Sequence, residues 1–464
     1  MPRLSIAGRR AACCRFAVRL SPSPLIPVPA LLPSAIRREI LDLAKPERFR
    51  RHGFLRNIFL VMSGTGSAQL IGILFSPILS RIYTPADFGI YGSFASVVGI
   101  LSSVLTLQYS EALMLPERDE VAARLFVAAC VSAATIATVV AVVSSLMPRL
   151  LALVLNAQEL GKWFWVAPFA AMLLCLNQSL TSWCSRKKAF KRTAAAQVVR
   201  SLSASSVQTA AGFAGAHAGG LVGGTVIGEI FAGVSLWSWV LREDGSLFRR
   251  SLDRSLVKSA VKDYRDFPMF STPQSLLNAI SLGAPVILLI HYYGGAVGGF
   301  YAFAVRILQA PMNFILTSLR QVLNQKLNEV HNSGGSLGPL FAKCTGTLFL
   351  VALFPTVLGM VLAPTVFSFA FGKQWVTAGE CARWLLVWFL PMFCNVPSVL
   401  LARILRQQRN LLIFDVTLTS TRLVVLALGG SYLSAVHTVA VFSVVGSIFN
   451  LLLIAYVWRL VRNK

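Results

Sequence analysis

The stretch VAARLFVAACVSAATIATVVAVVSSLM, residues 121–147, carries a single charged side chain, Arg124. About 20 apolar residues in helical conformation cross the ~30 Å hydrocarbon core of a bilayer. Similar runs recur along the 464-residue chain, which is 55% hydrophobic and only 13% charged, against about 25% charged residues in soluble domains. We therefore predict an all-α polytopic membrane protein. A closed β-barrel would need alternating segments of about ten residues, which the sequence lacks.

Polar breaks between the apolar runs predict about twelve transmembrane helices in two six-helix bundles. The spans are placed at 56–79, 88–114, 121–147, 163–184, 193–214, 219–241, 267–293, 297–322, 338–363, 380–402, 410–429 and 434–458. We expect the bundles at residues 54–241 and 267–464, joined by a basic cytoplasmic linker at 242–266. Residues 1–53 form a basic extension whose SPSPLIPVPALLPS segment excludes a signal-peptide helix, because its prolines break helices. We expect this extension to be disordered and cytoplasmic.

The formal net charge of +25 raises the question of nucleic-acid binding. With the N-terminus placed in the cytoplasm, 34 Lys and Arg residues fall on the cytoplasmic side and only 4 on the opposite side. Such an excess of basic residues on one side orients membrane proteins. The charge therefore predicts a multi-pass topology with both termini in the cytoplasm, and it requires no nucleic acid.

Motifs for catalysis or cofactor binding are missing from the sequence. The 8 cysteines and 5 histidines have no CxxC or HExxH spacing, so we expect no metal, no disulfide framework and no cofactor. There is no Walker A motif for direct use of ATP, and no GxSxG or paired-carboxylate site. These absences predict a protein that is not an enzyme.

Two short stretches suggest an internal repeat, DFGIYGSFA at 87–95 and VGGFYAFAV at 297–305. Aligning their first shared glycine also aligns a tyrosine in both, at an offset of 210 residues. Each stretch follows a span that contains a proline and opens the next span. Two parallel six-span repeats with a substrate site between them are a common plan for secondary transporters, although a Gly-x-Tyr helix start also recurs by chance.

Polar side chains inside the spans provide the site hypothesis, because such residues are costly in a membrane and usually face a cavity or a partner. Several share one helix face, such as Arg306, Gln309 and Asn313 on span 8. The candidate substrate-binding residues are Arg200, Arg306, Arg422, Gln197, Gln274, Asn278 and Asn313. The arginines favour an anionic substrate, since guanidinium matches phosphate in geometry.

Three acidic residues in the spans, Glu111, Glu229 and Asp415, are candidates for ion or proton coupling. Roles in helix packing or loop capping are alternatives for Glu111 and Glu229. Asp415 and Arg422 lie seven residues apart on one predicted helix, so mutual neutralisation is an alternative to substrate contact for that pair.

Five stretches together resemble the bacterial polysaccharide biosynthesis exporters, the O-antigen-type lipid-linked oligosaccharide flippases of the superfamily that also contains multidrug extrusion antiporters. They are LSRIYTPADFGIYGSF (79–94), QYSEALMLP (108–116), YRDFPMFSTPQSLLN (264–278), GGFYAFAVRILQAPMNFI (298–315) and FGKQWVTAGECARWLLVW (371–388). The sequence departs from the family at Gln108, where an arginine often precedes the Tyr-x-Glu pattern.

The resemblance implies two six-helix bundles around a V-shaped cavity and translocation of an undecaprenyl-pyrophosphate-linked oligosaccharide to the outer leaflet. The partners it implies are that lipid-linked oligosaccharide, the bilayer, and a polysaccharide polymerase with a chain-length regulator. The alternative function is an ion-coupled multidrug efflux antiporter of the same superfamily. A membrane-embedded polymerase or ligase would need a large external loop, and no predicted outer loop is long enough.

Overall fold

Long α-helices account for almost all of the described chain. The computed structural model describes residues 53–146, 163, 165–251 and 253–462, and this part of the chain contains no β-strand. Of the predicted extension, only Gly53 belongs to the described residues. The first half contains α1 (Gly53–Ile82), α2 (Pro85–Leu105), α3 (Tyr109–Ala112), α4 (Asp119–Leu146), α5 (Val166–Arg186), α6 (Phe190–Phe213) and α7 (Ala218–Arg250).

The second half starts with α8 (Arg254–Asp263), a π-helix (Phe267–Ser271), α9 (Thr272–Tyr293) and α10 (Gly295–Asn332). It continues with α11 (Leu337–Phe371), a 3₁₀ turn (Lys373–Trp375), α12 (Val376–Cys394), α13 (Val396–Ile404), α14 (Gln408–Tyr432) and α15 (Ala435–Arg462). Helix α7 therefore runs into the predicted linker, and much of the remaining linker is helical as α8.

Each predicted span overlaps a helix, and the chain is a polytopic helical membrane protein. Among the described residues, 9 helical segments are long and apolar enough to cross a membrane. Helices α5 and α6 carry many polar side chains and are not among them. The Gly66–Ile82 part of α1 is a shorter apolar segment. Span 2 is interrupted, since Leu107 and Gln108 adopt positive φ angles of 48° and 58° and separate α2 from α3.

The start of α2 follows directly from its sequence. Thr84 is the N-cap, Pro85 occupies the first turn, and Thr84 and Asp87 form a capping box. In this motif two backbone N–H groups are satisfied reciprocally, which fixes where the helix begins. The Asp87 carboxylate also accepts a hydrogen bond from the backbone N–H of Ala218 at 2.9 Å. The polar residues of this turn thus join the start of α2 to the start of α7.

Three hydrogen bonds between the two halves converge on Ser80 in the last turn of α1. Its hydroxyl donates to the carbonyl oxygen of Phe371 at 3.1 Å. Its own carbonyl oxygen accepts from Gln374 Nε2 at 2.7 Å and from Trp375 Nε1 at 2.8 Å. Gly372, at φ 107°, turns the chain so that these donors reach α1. We call this junction between Ser80 and residues 371–375 the Ser80 end.

The two stretches of the predicted repeat pack against each other. A Cβ atom at Gly89 would overlap the carbonyl oxygen of Gly295, and one at Gly299 would overlap that of Pro85. Helices α2 and α10 therefore approach to backbone contact, which glycine permits because it has no side chain. The repeat hypothesis itself stays a prediction, but its residues meet across the junction of the halves.

At the opposite end of the first half, which we call the Asp119 end, Arg186 ties the α3–α4 connection to α5. Arg186 Nε pairs with an Asp119 carboxylate oxygen at 2.9 Å. Arg186 also donates to the carbonyl oxygens of Leu113 at 3.1 Å and Glu117 at 3.2 Å. Lys187 Nζ binds the other Asp119 oxygen at 2.7 Å. One largely buried guanidinium thus organises the loop.

Replacing Arg186 by methionine is expected to lower the unfolding free energy by about 2 kcal/mol, because charged hydrogen bonds are lost while the apolar stem is kept. Thermal unfolding of the purified protein measures the change. Lys326→Met is the control, since Lys326 and Glu329 form an ion pair of 3.1 Å whose side chains are 56% and 66% exposed. Such exposed pairs contribute under about 0.5 kcal/mol. Equal shifts for both variants would contradict the proposed clamp.

Hydrophobic clusters follow the two predicted halves. Two clusters lie almost wholly in the first half, and another, around Phe341 and Leu401, lies in the second. A further cluster around Phe88, Phe303 and Trp375 contains buried residues of both halves and sits near the Ser80 end. This arrangement of hydrophobic clusters supports the division into two bundles. The division itself stays a prediction.

Candidate functional site

A cavity of about 1160 Å³ lies among α1, α2, α3, α5, α6, α7, α9 and α10. We call it the central cavity. On α2 its lining runs from Phe88 to Ser103, about 22 Å at the rise of an α-helix. Near the Ser80 end the wall includes Phe88, and at the Asp119 end it includes the exposed Glu111. The cavity is thus a long polar space, closed off where α1, α2 and the 371–375 turn meet.

Arg200 on α6 and Glu229 on α7 face each other across the cavity wall. Arg200 Nη1 lies 3.1 Å from a Glu229 carboxylate oxygen. Asn177 Nδ2 on α5 donates to the other Glu229 oxygen at 2.7 Å and to the Glu229 carbonyl at 2.8 Å. The Glu229 side chain is 9% exposed and that of Arg200 is 43% exposed. The carboxylate is therefore largely committed to protein donors, whereas Arg200 retains N–H groups that reach the cavity.

Arg306 on α10 is the second cavity arginine, and it forms no ion pair with any residue that the structure describes. Its Nη1 atom is buried without a hydrogen-bond partner among those residues. Gln309 and Asn313 follow on the same helix face and also line the cavity, which confirms the predicted shared face. The α10 stripe thus presents an uncompensated cation beside two amides.

The remaining predicted residues separate into two groups. Gln197 and Asn278 line the central cavity, as do the acidic candidates Glu111 and Glu229. Gln274 is exposed outside the cavity lining although Asn278, one turn along α9, lies within it. Glu111 has no ion-pair partner among the residues described. Their assignment to substrate or to ion coupling remains a prediction.

Arg422 and Asp415 on α14 lie outside the central cavity. Arg422 is 4% exposed, and its guanidinium carbon lies 3.8 Å from the ring centroids of both Trp388 and Phe442. Asp415 is exposed and forms no ion pair with Arg422, so the alternative of mutual neutralisation is not realised by contact. The predicted role of Arg422 in substrate binding is not supported by its place behind the cavity wall.

Several cavity residues were not among the predicted site residues. Helix α5 contributes Asn177, Gln178 and Thr181, and α1 contributes Gln69, whose Oε1 is buried without a partner in the described structure. The signal on α5 was present in the sequence, because the LNQSLTS segment interrupts an apolar span with polar residues. Gln108, where the family often has arginine, also lines the cavity and donates to the Ser103 carbonyl at 2.9 Å.

The site has the chemistry of a binding cavity rather than a metal centre. Among the described residues, no group of three or more His, Cys, Asp or Glu side chains is placed to hold a metal ion. The polar lining consists of hydroxyls, amides, two arginines and two glutamates. Amides and hydroxyls both donate and accept hydrogen bonds, and arginine binds anions. The lining therefore suits a large hydroxylated molecule with an anionic group.

Comparisons with known proteins fit this arrangement. A family model described as "Polysaccharide biosynthesis protein" matches residues 78–380. The sequence matches no curated protein significantly.

Solved transporter structures share the fold. The lipid II flippase MurJ in an inward closed conformation has a TM-score of 0.67 at 10% identity, covering 86% of this chain and 87% of that chain. An inward-facing multidrug resistance MATE family transporter of the MOP superfamily has 0.58 at 13%, covering 86% and 94%. A MOP superfamily transporter from Pyrococcus furiosus has 0.52 at 14%, covering 87% and 95%. At such identities the likeness concerns the fold alone.

Proposed function

The chain belongs to the polysaccharide biosynthesis protein family, and from that premise we propose that it flips a lipid-linked oligosaccharide across a membrane. The cargo is an undecaprenyl-pyrophosphate-linked oligosaccharide for O-antigen, capsule or exopolysaccharide. The membrane is the bacterial inner membrane, with both termini of the chain in the cytoplasm. Transport proceeds by alternating access without an enzymatic step.

The observation that carries the proposal is Arg306. It lines the central cavity, forms no ion pair with the residues described, and has a buried Nη1 without a partner. A buried donor of this kind is costly unless a ligand or solvent satisfies it. A pyrophosphate offers several anionic oxygens, and guanidinium pairs with phosphate in bidentate geometry. Arg200 is a second ligand, since its single bond to Glu229 leaves other donors available.

The rest of the cavity suits the glycan. A sugar crossing the bilayer alone would expose many hydroxyls to hydrocarbon, each at a cost of several kcal/mol without hydrogen bonds. Hydroxyl and amide side chains along α2, α5, α6 and α10 replace these bonds. The lipid tail stays in the bilayer beside the bundles, so only the headgroup needs the cavity.

The predicted orientation places the Asp119 end in the cytoplasm. With that orientation, the contacts at the Ser80 end close the outer side, and the cavity receives cargo from the cytoplasmic leaflet. The closed junction is held by Ser80 and by the α2–α10 glycine contacts. Cargo release on the outer side then requires these contacts to open.

Replacing both cavity arginines by alanine is the direct test. In a strain whose surface glycan depends on this protein, Arg306→Ala is expected to reduce glycan export about tenfold or more. Loss of a hydrogen bond to a charged group costs about 1.5–3 kcal/mol, and 1.4 kcal/mol is a factor of ten. Arg200→Ala should have a smaller effect, and the double variant should abolish export. Surface glycan per molecule of membrane-inserted protein is the measurement.

Arg81→Ala is the matched control. Arg81 is an exposed arginine in the last turn of α1 and does not line the cavity. Its replacement is expected to leave export unchanged. Normal export by the double variant of Arg200 and Arg306 would refute the basic-cavity proposal.

A multidrug antiporter is the second candidate, favoured by Glu111, which lines the cavity and forms no ion pair with a described residue. An acidic residue without a cationic partner suits an organic cation or a coupling ion. This function predicts that deletion raises drug susceptibility and leaves surface glycan intact, with Glu111→Gln reproducing the phenotype. The flippase proposal predicts the opposite pair of results.

A further inference from the structure

A second concentration of unpaired polar atoms lies in the second half, away from the central cavity. Arg422 Nε and Nη2, Trp388 Nε1 and Ser443 Oγ are all buried, and none has a hydrogen-bond partner among the residues described. The three side chains are 4%, 7% and 0% exposed and come from α14, α12 and α15. Four unpaired polar atoms at one helix junction call for a common explanation.

Contacts place these side chains together. The Arg422 guanidinium carbon lies 3.8 Å from the ring centroids of both Trp388 and Phe442, and Ser443 directly follows Phe442 on α15. One turn later, a Cβ atom at Gly446 would lie 3.0 Å from Trp388 Nε1. The edge of the Trp388 ring therefore faces the part of α15 that carries Ser443.

The charge of Arg422 has no acidic counterpart in this junction. Asp415 lies two turns away on the same helix and is exposed. Glu380 of α12 pairs with Arg383 at 3.2 Å. The rings of Trp388 and Phe442, which meet edge to face, both stabilise the cation, but the guanidinium N–H groups need acceptors of their own. A buried charge without such acceptors is strongly destabilising.

We propose that Arg422, Trp388 and Ser443 form a binding site for a small monovalent inorganic anion of the halide class. Arginine and the tryptophan ring N–H are donors only, and the serine hydroxyl adds a third donor, so the set selects an anion over a cation. Three side chains that offer donors at one junction suit a small anion rather than a phosphate, which presents four oxygens. The bound anion neutralises the Arg422 charge inside the bundle.

The site is separate from the central cavity. Tyr301 lines the cavity, is 3% exposed, and packs edge-on against Phe442 with ring centroids 6.4 Å apart. Arg422, Trp388 and Ser443 themselves do not line the cavity. The anion site therefore does not rest on the proposed cargo, and the two proposals fail or succeed independently.

The test uses the purified full chain in lipid nanodiscs containing no chloride. Sodium chloride is titrated against sodium gluconate at constant ionic strength while the melting temperature is followed. The wild-type protein is expected to show a saturable rise in melting temperature, as for any ligand that binds only the folded state. Bromide should produce the same rise and also a saturable quenching of tryptophan fluorescence, since Trp388 contacts the ion.

Three variants locate the effect. Arg422→Gln should abolish the chloride-dependent rise, and Ser443→Ala should weaken apparent affinity about tenfold, the loss of one hydrogen bond to a charge. Trp388→Phe keeps an aromatic face for Arg422, weakens binding to a similar degree and removes the saturable bromide quenching. If Arg422→Gln does not fold, the other two variants decide.

Two results would overturn the proposal. The first is a wild-type melting temperature that is independent of chloride. It would mean that solvent, and not an anion, satisfies the donors of Arg422, Trp388 and Ser443. The second is a chloride effect that is unchanged in Ser443→Ala and Trp388→Phe, which would place the ion elsewhere.

Discussion

Replacing Gly299 by valine is expected to remove almost all folded protein from the membrane. Any side chain at this position meets the carbonyl oxygen of Pro85 and the backbone N–H of Gly89. These are backbone atoms of a single helix, α2, so no rotamer change can make room. Overpacking a core costs about 1–3 kcal/mol where side chains can shift, and here the helices themselves would have to separate.

The abundance of folded protein measures this effect, with a fluorescent fusion followed by size-exclusion chromatography. Gly223→Val is the control, because a Cβ atom at Gly223 on α7 has no neighbour within 4 Å. Both changes place the same β-branched side chain in a helix and differ only in the surrounding space. Wild-type abundance of the Gly299 variant would show that α2 and α10 do not meet in this way.

A disulfide between positions 96 and 283 is expected to stop transport completely and reversibly. A Cβ atom at Gly283 on α9 would lie 3.2 Å from the Cβ of Ser96 on α2, near the 3.5–4.5 Å found in disulfides. Ser96→Cys combined with Gly283→Cys would therefore join the two halves within the cavity wall. The proposed alternating access requires the halves to move, so under the proposed function the oxidised protein should export no glycan and the reduced protein should recover.

The single-cysteine variants are the controls for this experiment, since each carries one change and lacks the bond. They would also reveal a cross-link between an introduced cysteine and a native one. Cys175 is the native cysteine to check, because its thiol contacts the carbonyl oxygen of Ser102, on the same helix as Ser96. Undiminished export by the fully oxidised double variant would contradict alternating access between these helices.

Hydropathy located the long helices of the described chain, because crossing a bilayer requires a stretch of about 20 apolar residues. It gave no signal for the short amphipathic helix α8 in the predicted linker. Where helices continue past the membrane, as α7 does to Arg250 and α10 does to Asn332, the apolar signal stops first and the predicted ends were too short. The break after α2 has no hydropathy signal, because it depends on the backbone conformation of Leu107 and Gln108.

Prediction of the site was limited by what a helical face can reveal. A polar stripe on one helix indicates that something polar lies beside it, and for Arg306, Gln309 and Asn313 this was the central cavity. The same reasoning grouped Arg422 with the cavity, although it stacks on aromatic rings that come from other helices. The pattern of polar residues on one helix does not indicate which neighbouring helix that face contacts, because this depends on tertiary packing.

The hydrogen bonds at Ser80 bear on how the Ser80 end would open in the proposed transport cycle. In a continuing helix the Ser80 carbonyl would accept from the backbone N–H of residue 84, but Thr84 N–H bonds the Asp87 carboxylate at 3.0 Å instead. Gln374 and Trp375 of the other half supply the missing donors, so the end of α1 is capped from across the junction. When the halves part, that carbonyl needs new donors, and water is the donor at hand. Opening would then require water to enter the junction as well as the helices to move. The rate of opening should therefore fall when osmolytes lower the activity of water.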